Sequence, residues 1–357
     1  MEYLLIFVVS TFSFLPVCYK YSSKIDNTVV YLYFILPSFL LLVLFIGLRK
    51  EVGIDYHMYY NMFHYGWGEN KEFGFRMVNT IAKNLNLALS SVLIFMSTLS
   101  IYFVFKLIIN ESKYKLLSFV LFWLDGGIIF LLNVMRQGLT NFIFLNLIGR
   151  VRDGKYLLVL FLLTVGCFFH YSMLLALLFI PLLMARYSRK TLLMFYSISI
   201  FLMLVVDIPY IVIKTLELIP YFGEIYLNEN LVESLVFRRD FGLGYLFRFL
   251  LVLATILFYD KILADDEKVK PYLNAFIWWG ILKILTLEVW VFERFLDYLR
   301  FSSIIVIPHL IMIIKNQKIK RIILILIFLS FLILYLKSTV FSSNDQKLMP
   351  YQWIFNN

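Results

Sequence analysis

The sequence predicts an all-α polytopic integral membrane protein with about twelve transmembrane helices and outer-face loops. Of its 357 residues, 62% are hydrophobic and only 16% are charged, whereas soluble globular chains are about half apolar and about a quarter charged. The mean hydropathy is +0.84, and apolar runs of roughly 18 residues or more recur along the chain. We therefore expect a single membrane domain over residues 1–357.

The apolar segments follow one another along the whole chain. We predict spans at 3–19, 29–48, 87–109, 116–133, 135–149, 156–170, 171–185, 191–208, 243–260, 272–290, 301–315 and 322–337. The first is expected to be a mature span, because its start lacks basic residues and no small-x-small cleavage site follows. The three central segments from 135 to 185 give only ~22 Å of helix each against a membrane core of ~30 Å, so we expect them to tilt around a recess open to the outer side.

The connections between these segments alternate in charge. Short loops rich in Lys and Arg alternate with long ones, and the positive-inside rule assigns the basic set to the cytoplasm. The outer face then carries the loops 49–86, 207–242, 291–300 and 338–357, which we expect to form the functional face. Both termini are predicted to lie outside.

A polar stripe marks the segment that begins at Asn133. Placed on one helix, Asn133, Arg136, Gln137, Thr140 and Asn141 share a face. An arginine at membrane depth is costly unless it faces a wet cavity or a partner, so this stripe is a functional candidate. The alternative is that Arg136 snorkels to the interface. His170 closes a later apolar segment, and we expect it to lie near Arg136.

The first long outer loop is rich in aromatic residues. On a helix, Asp55 and Tyr59 share a face, and so do Tyr56 and Tyr60. Tyrosines also populate interfacial belts, and Asp55 after Gly53 would suit a helix N-cap, so these structural interpretations stay open. Later outer segments carry Arg238, Arg239 and the run from Glu293 to Arg300, for which a self-neutralising ion-pair network is the alternative.

Arginines on the outer side contradict the orientation rule and need another explanation. Their planar forks bind phosphate oxygens bidentately, and an anion with a hydrophobic body at this face is a polyprenyl phosphate or diphosphate. Aromatic faces with nearby polar groups suit sugars, so a lipid-linked glycan is the expected substrate. We expect no metal and no cofactor, because no His/Cys metal spacing or glycine-rich phosphate loop is present. The acidic run Asp265-Asp266-Glu267 is interpreted as a solvated charge run.

Four blocks in order carry a family resemblance. They are Arg49-x-x-x-Gly-x-Asp-Tyr-x-x-Tyr-Tyr-x-x-Phe, Asn133-x-x-Arg-Gln-Gly, Phe169-His-Tyr-Ser and Glu293-Arg-Phe-x-x-Tyr. Their succession resembles the EpsG-like and Wzy-type bacterial polysaccharide polymerases. The resemblance implies a GT-C-like, metal-independent glycosyltransferase. It would move a growing glycan from undecaprenyl diphosphate onto a new lipid-linked repeat unit, for an O-antigen, capsule or exopolysaccharide.

Roles follow from that chemistry. The leaving diphosphate needs positive charge, for which we predict Arg136 first, then Arg294, Arg300, Arg49 and Arg239. His170 is the predicted general base, because its ordinary pKa of about 6.5 leaves it neutral at the outer face. Asp55 is the alternative base or an orienter of the acceptor. The predicted sugar contacts are Gln137, Asn141, Tyr56, Tyr59, Tyr60 and Tyr298.

Three rival functions stay open at this stage. A flippase would need a charged central pathway, for which Asp125 and Lys283 are the mid-span candidates. A membrane O-acyltransferase would need a second polar group beside its histidine, and the sequence suggests none for His170. An O-antigen ligase differs only in its acceptor. We expect the bacterial inner membrane, with the active site facing the periplasm or exterior. The expected partners are the lipid-linked glycan, a chain-length regulator, a flippase and membrane lipids, but no nucleic acid.

Overall fold

The computed structural model describes residues 2–15, 35–66, 72–217, 242–341 and 347–355. Within these ranges the regular elements are helical, apart from an isolated antiparallel bridge between Arg49 and Trp353. The described chain is thus all-helical and strongly apolar, which supports a helical membrane protein. Arg238 and Arg239 lie outside the described residues.

The α-helices of the described residues are numbered in chain order. They are α1 (Glu2–Phe14), α2 (Leu36–Gly47), α3 (Tyr56–Tyr65), α4 (Phe73–Asn84), α5 (Leu89–Glu111), α6 (Lys115–Leu124), α7 (Gly127–Asn133), α8 (Met135–Arg152), α9 (Tyr156–Phe169), α10 (Ser172–Ala176), α11 (Ile180–Met184), α12 (Arg189–Val205), α13 (Ile208–Glu217), α14 (Leu243–Leu257), α15 (Tyr259–Asp265), α16 (Lys270–Leu285), α17 (Trp290–Arg300), α18 (Ser303–Met312) and α19 (Gln317–Leu336).

Two compact units make up the fold. The first is drawn from Met1–Leu177 and Ile314–Asn357, and the second from Leu178–Ile313. In the first unit, α8 is the central helix, because every residue from Met135 to Gly149 is buried. The Asn146 side chain links this helix to α5, because its Nδ2 donates to the carbonyl oxygen of Phe103 at 2.9 Å.

Helices that could span a membrane are fewer than predicted among the described residues. Leu89–Glu111 and Gln317–Phe341 are long and apolar enough on their own. Two bent pairs pass the same test together: α6 with α7, bent by 49°, and Phe292–Arg300 with α18, bent by 46°. The described residues therefore hold two to four candidate spans by length and composition. The twelve spans stay a prediction.

The placement of Asn133 on one helix with Arg136 is wrong. Asn133 ends α7, and Val134 (φ −113°, ψ 60°) separates it from α8, at the predicted boundary between the segments 116–133 and 135–149. The predicted segment 171–185 corresponds to the apolar helix Ser172–Met184, within which a 3-10 turn separates α10 from α11. The segment 291–300, predicted to connect two spans, is part of the helix α17.

The C-terminal segment packs against the start of the first outer loop. Lys50 N–H donates to Gln352 O at 2.9 Å, Ile354 N–H donates to Leu48 O at 3.0 Å, and Gly53 N–H donates to Lys347 O at 2.8 Å. These bonds require the two segments to lie on the same side of a membrane, which agrees with the predicted topology without fixing which side.

Candidate functional site

Glu72 lies immediately before α4. It is buried because α4 packs closely against α9. Gly74 makes this possible, because an added Cβ there would lie 2.6 Å from the carbonyl oxygen of Phe168 and 2.3 Å from its ring. The ring of Phe73 meets the ring of Phe168 with centroids 5.0 Å apart. Phe168 is two residues before His170, so this contact brings Glu72 to the imidazole.

The Glu72 carboxylate joins the two residues that the sequence singled out. Its Oε1 lies 2.6 Å from Nδ1 of His170, and its Oε2 accepts a hydrogen bond from Nη1 of Arg136. We call Glu72, Arg136 and His170 the Glu72 cluster. The predicted proximity of Arg136 and His170 is thus found, and a carboxylate that was not predicted mediates it.

The partners of Glu72 favour the ionised form of its carboxylate. Burial alone would raise the pKa of Glu72, but the hydrogen bond from His170 and the charge of Arg136 outweigh burial and lower this pKa to about 2. An ionised carboxylate only accepts, so Nδ1 of His170 carries the hydrogen and Nε2 is left with a lone pair in the neutral ring. The side chain of His170 is 25% exposed, against 7% for Glu72 and 9% for Arg136. The imidazole is therefore the accessible member of the cluster.

Arg136 begins the buried helix α8 and is held on two sides. Its guanidinium lies over the ring of Phe75 with the carbon 5.4 Å from the centroid, in addition to the ion pair with Glu72. Its Nε is buried and has no hydrogen-bond partner among the described residues. Leaving such a donor unsatisfied is unfavourable, so Arg136 retains capacity for an oxygen ligand.

Tyr59 and Asp55 border this cluster from α3. Tyr59 is only 1% exposed, and its ring lies 5.5 Å from that of Phe75. Burial raises the pKa of Tyr59 and the Asp55 carboxylate adds to the increase, while the positive charge of Arg136 opposes it. Asp55 occupies the N-cap position of α3, but its side chain makes no capping hydrogen bond. Asp55 therefore occupies the predicted N-cap position, but its side chain does not cap the helix.

The loop between α2 and α3 is fixed to the α7–α8 break by a close backbone approach. Ile54 N–H donates to Oδ1 of Asn133 at 3.0 Å. Gly53 has φ +94°, and an added Cβ would lie 2.3 Å from the carbonyl oxygen of Leu132. The sequence Gly53-Ile-Asp55 thus packs against the end of α7, because glycine alone fits this contact.

The remaining predicted residues of α8 face the protein interior. Gln137 is 5% exposed and Asn141 is fully buried. Both polar side-chain atoms of Asn141 lack a hydrogen-bond partner among the described residues. Their predicted contacts with sugar stay predictions.

Arg49 lies in the protein interior, whereas a residue that binds an anion at the surface would be exposed. It is fully buried, its Nη1 donates to Ile46 O at 2.8 Å, and its Nε and Nη2 have no hydrogen-bond partner in the described chain. Tyr56 and Tyr351 are among the buried aromatic residues that interact with its charge. Tyr60, by contrast, is 38% exposed on α3.

The second unit contains the predicted residues Arg294, Arg300 and Tyr298. Charged side chains in this unit form ion pairs with one another. Lys283 is 2% exposed, with Nζ 3.5 Å from Oε1 of Glu293. Arg300 lies 3.8 Å from Asp297, Tyr298 is fully buried and Arg294 is exposed. Lys283 is thus paired within its unit, which weakens the case for it as part of a transport pathway. Arg239 lies outside the described residues.

Glu72 is the functional candidate that the sequence analysis missed. Its separation from His170 is 98 residues, and no periodicity links an outer-loop acid to a helix end so distant. This corrects the expectation that His170 has no polar partner. Among the described residues, no group of three or more His, Cys, Asp or Glu could hold a metal ion.

Comparison with known proteins gives one match. The sequence model of the EpsG family matches residues 30–353. Searches of curated proteins and of solved structures find no match.

Proposed function

The chain belongs to the EpsG family, and from this premise we propose that it joins undecaprenyl-diphosphate-linked oligosaccharide repeat units at the outer face of the bacterial plasma membrane. Family membership itself indicates a polysaccharide polymerase type of role in a membrane protein. The Wzy-type reaction, the lipid carrier and the orientation are part of this proposal.

One observation carries this proposal: a single buried carboxylate holds both a solvent-accessible imidazole and a guanidinium. An imidazole oriented by a carboxylate suits a general base, and a guanidinium suits a diphosphate. Glycosyl transfer from a lipid diphosphate needs one group of each kind. The positive and negative charges of Arg136 and Glu72 balance at rest, which avoids an uncompensated buried charge.

The acid–base step follows from the hydrogen on Nδ1 of His170. The hydroxyl oxygen of the acceptor sugar attacks the anomeric carbon of the donor, and its proton passes to Nε2 of His170. The new glycosidic bond forms as the bond from the anomeric carbon to the diphosphate oxygen breaks. The electron pair of that bond leaves with the diphosphate. Because the hydroxyl attacks from the face opposite the leaving group, the configuration inverts. Glu72 then faces an imidazolium, whose charge it stabilises.

Arg136 is the proposed partner of the leaving group. Its Nε is an unsatisfied buried donor, and a fixed guanidinium in a poorly solvated recess stabilises developing negative charge better than water does. Its ion pair with Glu72 keeps it oriented before substrate arrives. Arg294, Arg300, Arg49 and Arg239 stay as further proposed diphosphate contacts, of which Arg49 would first have to become exposed.

The acceptor sugar is proposed to lie beside α3. Tyr59 borders Arg136, Tyr60 is exposed on the same helix, and the charge of the Asp55 carboxylate acts on Tyr59. Aromatic faces with adjacent carboxylates suit carbohydrate rings and hydroxyls. Asp55 is therefore proposed to orient the acceptor and stays the alternative base. Tyr56 is buried, and its proposed role is to support this helix.

An O-antigen ligase and a lipid-linked glycan flippase are the alternative functions. A deletion strain separates them by gel analysis of its surface glycan. Core capped with single repeats indicates a polymerase. Uncapped core with accumulated lipid-linked polymer indicates a ligase, and loss of all surface glycan with cytoplasmic intermediates indicates a flippase. Either of the last two patterns would contradict the proposal.

A further inference from the structure

The helix that follows Glu72 carries an exposed apolar stripe. Phe73, Met77 and Ile81 recur every four residues on α4 and are 52%, 39% and 48% exposed. Residues at this spacing share one side of a helix. Leu85 continues the stripe just beyond the helix and is 62% exposed.

The rest of α4 is divided between a buried face and a cationic edge. Phe75, Asn79 and Ala82 are buried in the first unit. Arg76 and Lys83 are exposed, and at about 100° per residue they lie roughly 60–80° to one side of Phe73. Thus α4 has three surfaces: one for the protein, one apolar and one positively charged.

We propose that α4 lies in the plane of the membrane interface, with its apolar stripe in the headgroup–acyl boundary of the outer leaflet. Exposed apolar patches rimmed by polar residues mark membrane or protein contacts. Helices with an apolar face and a Lys/Arg edge bind anionic lipid surfaces in this orientation. The exposed positive charges of Arg76 and Lys83 complement lipid phosphates.

The stripe is also continuous with further exposed apolar side chains. The ring of Phe73 contacts that of Phe168 at the end of the apolar helix α9. Beyond His170, Tyr171 and Leu174 are 53% and 52% exposed. In a membrane protein such apolar side chains face acyl chains or the interface. The bilayer is therefore the occupant that fits both the charge and the continuity of the surface.

This position has a consequence for the candidate site. Glu72 precedes Phe73 directly, so the depth of α4 fixes the depth of the Glu72 cluster near the phosphates of the leaflet. If the proposed polymerase function is correct, on which this consequence rests, the cluster would meet the diphosphate of a polyprenyl lipid without lifting its chain from the bilayer.

The test measures the depth of α4 without requiring turnover. In full-length protein carrying Cys18→Ser and Cys167→Ser, a bimane probe is attached to Met77→Cys or, separately, to Ile81→Cys, in vesicles containing anionic and brominated lipids. We expect strong quenching by shallow bromines, at a depth of ~5–10 Å into the boundary, and little quenching by aqueous iodide. Arg76→Cys is the matched control, and there iodide should quench more than the bromolipid.

Two results would overturn the interfacial position. Equal iodide quenching at positions 77, 81 and 76 would place the stripe in water. Protection of 77 and 81 from both quenchers would mean that protein covers the stripe, as a second copy or a partner. Because quenching is independent of glycosyl transfer, a negative result leaves the polymerase proposal intact. Conversely, protein that shows the expected quenching but no glycosyl transfer would support the interfacial position and contradict the polymerase proposal.

Discussion

The carboxylate of Glu72 holds Nδ1 of His170 at 2.6 Å, and its second oxygen holds Arg136. This arrangement fixes the imidazole with its other nitrogen available to a substrate. It also means that the arginine and the histidine depend on the same acid. Changes at Glu72 should therefore affect both the proposed acid–base role of His170 and the proposed diphosphate binding by Arg136.

We predict that Glu72→Gln lowers polymerisation by about 10²–10⁴-fold, the range contributed by a positioned acid–base group. The amide cannot stabilise an imidazolium, and it leaves Arg136 without a counter-charge. Glu51→Gln, which removes an exposed carboxylate from the same outer loop, is the matched control and should keep normal activity. Polymer length on a gel, normalised to protein in the membrane fraction, is the measurement. Normal polymer from Glu72→Gln would remove Glu72 from the mechanism.

Arg136→Lys should lose activity nearly as severely as Arg136→Ala, by about a hundredfold. A lysine ammonium is a point charge that lacks the guanidinium fork. Arg76→Lys, at an exposed arginine of α4, should retain activity. Single-turnover transfer from purified lipid-linked donor measures the effect. If Arg136→Lys matches the wild type, charge alone suffices and the fork has no role.

The low pKa of Glu72 predicts a pH-dependent contribution to stability. Its folded pKa of about 2 lies below the ordinary value of 4.5, so its ion-pair stabilisation is complete above about pH 4.5 and is lost as pH falls through about 2. The difference in unfolding temperature between wild type and Glu72→Gln should shrink as the pH falls from about 4.5 towards 2. Thermal melts in detergent measure it, and an undiminished difference at pH 2.5 would contradict the assignment.

Substitutions at Gly53 and Gly154 test the contact between the loop at Gly53 and the end of α7, with Gly154 as the control. Both have positive φ, +94° and +68°, but only an added Cβ at Gly53 meets a neighbour, the Leu132 carbonyl oxygen at 2.3 Å. Gly154→Ala should cost about 1–2 kcal/mol from backbone strain alone. Gly53→Ala should cost about 1–3 kcal/mol more, since the contact is with backbone, and should also reduce activity. Equal melting shifts would show that the loop contact is unimportant.

The helical class and part of the site follow from sequence because they depend on local patterns. Composition predicts apolar helices, and the polar residues around Arg136 identify α8 as unusual. The break at Val134 coincides with the predicted boundary between the segments 116–133 and 135–149. The predicted polar stripe nevertheless crosses that boundary, and so it places Asn133 on the wrong helix. Its amide instead accepts the Ile54 N–H.

Tertiary pairing accounts for the other differences. Glu72 becomes a candidate only when Gly74 brings α4 against Phe168. Arg49 was expected to meet a ligand, but the bridge to Trp353 and neighbouring tyrosines bury it. Burial and partners of a charged residue depend on distant segments, which single-sequence periodicity does not encode.

The central claim is that His170 is the general base of glycosyl transfer, and reconstituted polymerisation tests it most directly. Purified wild type, His170→Ala and His170→Gln are supplied with undecaprenyl-diphosphate-linked repeat units, with His57→Ala, an exposed histidine of α3, as control. We predict that both His170 variants bind the lipid-linked substrate normally but form polymer about 10²–10⁴-fold more slowly, while His57→Ala is unaffected. Polymer formed by His170→Ala at the wild-type rate would contradict the account.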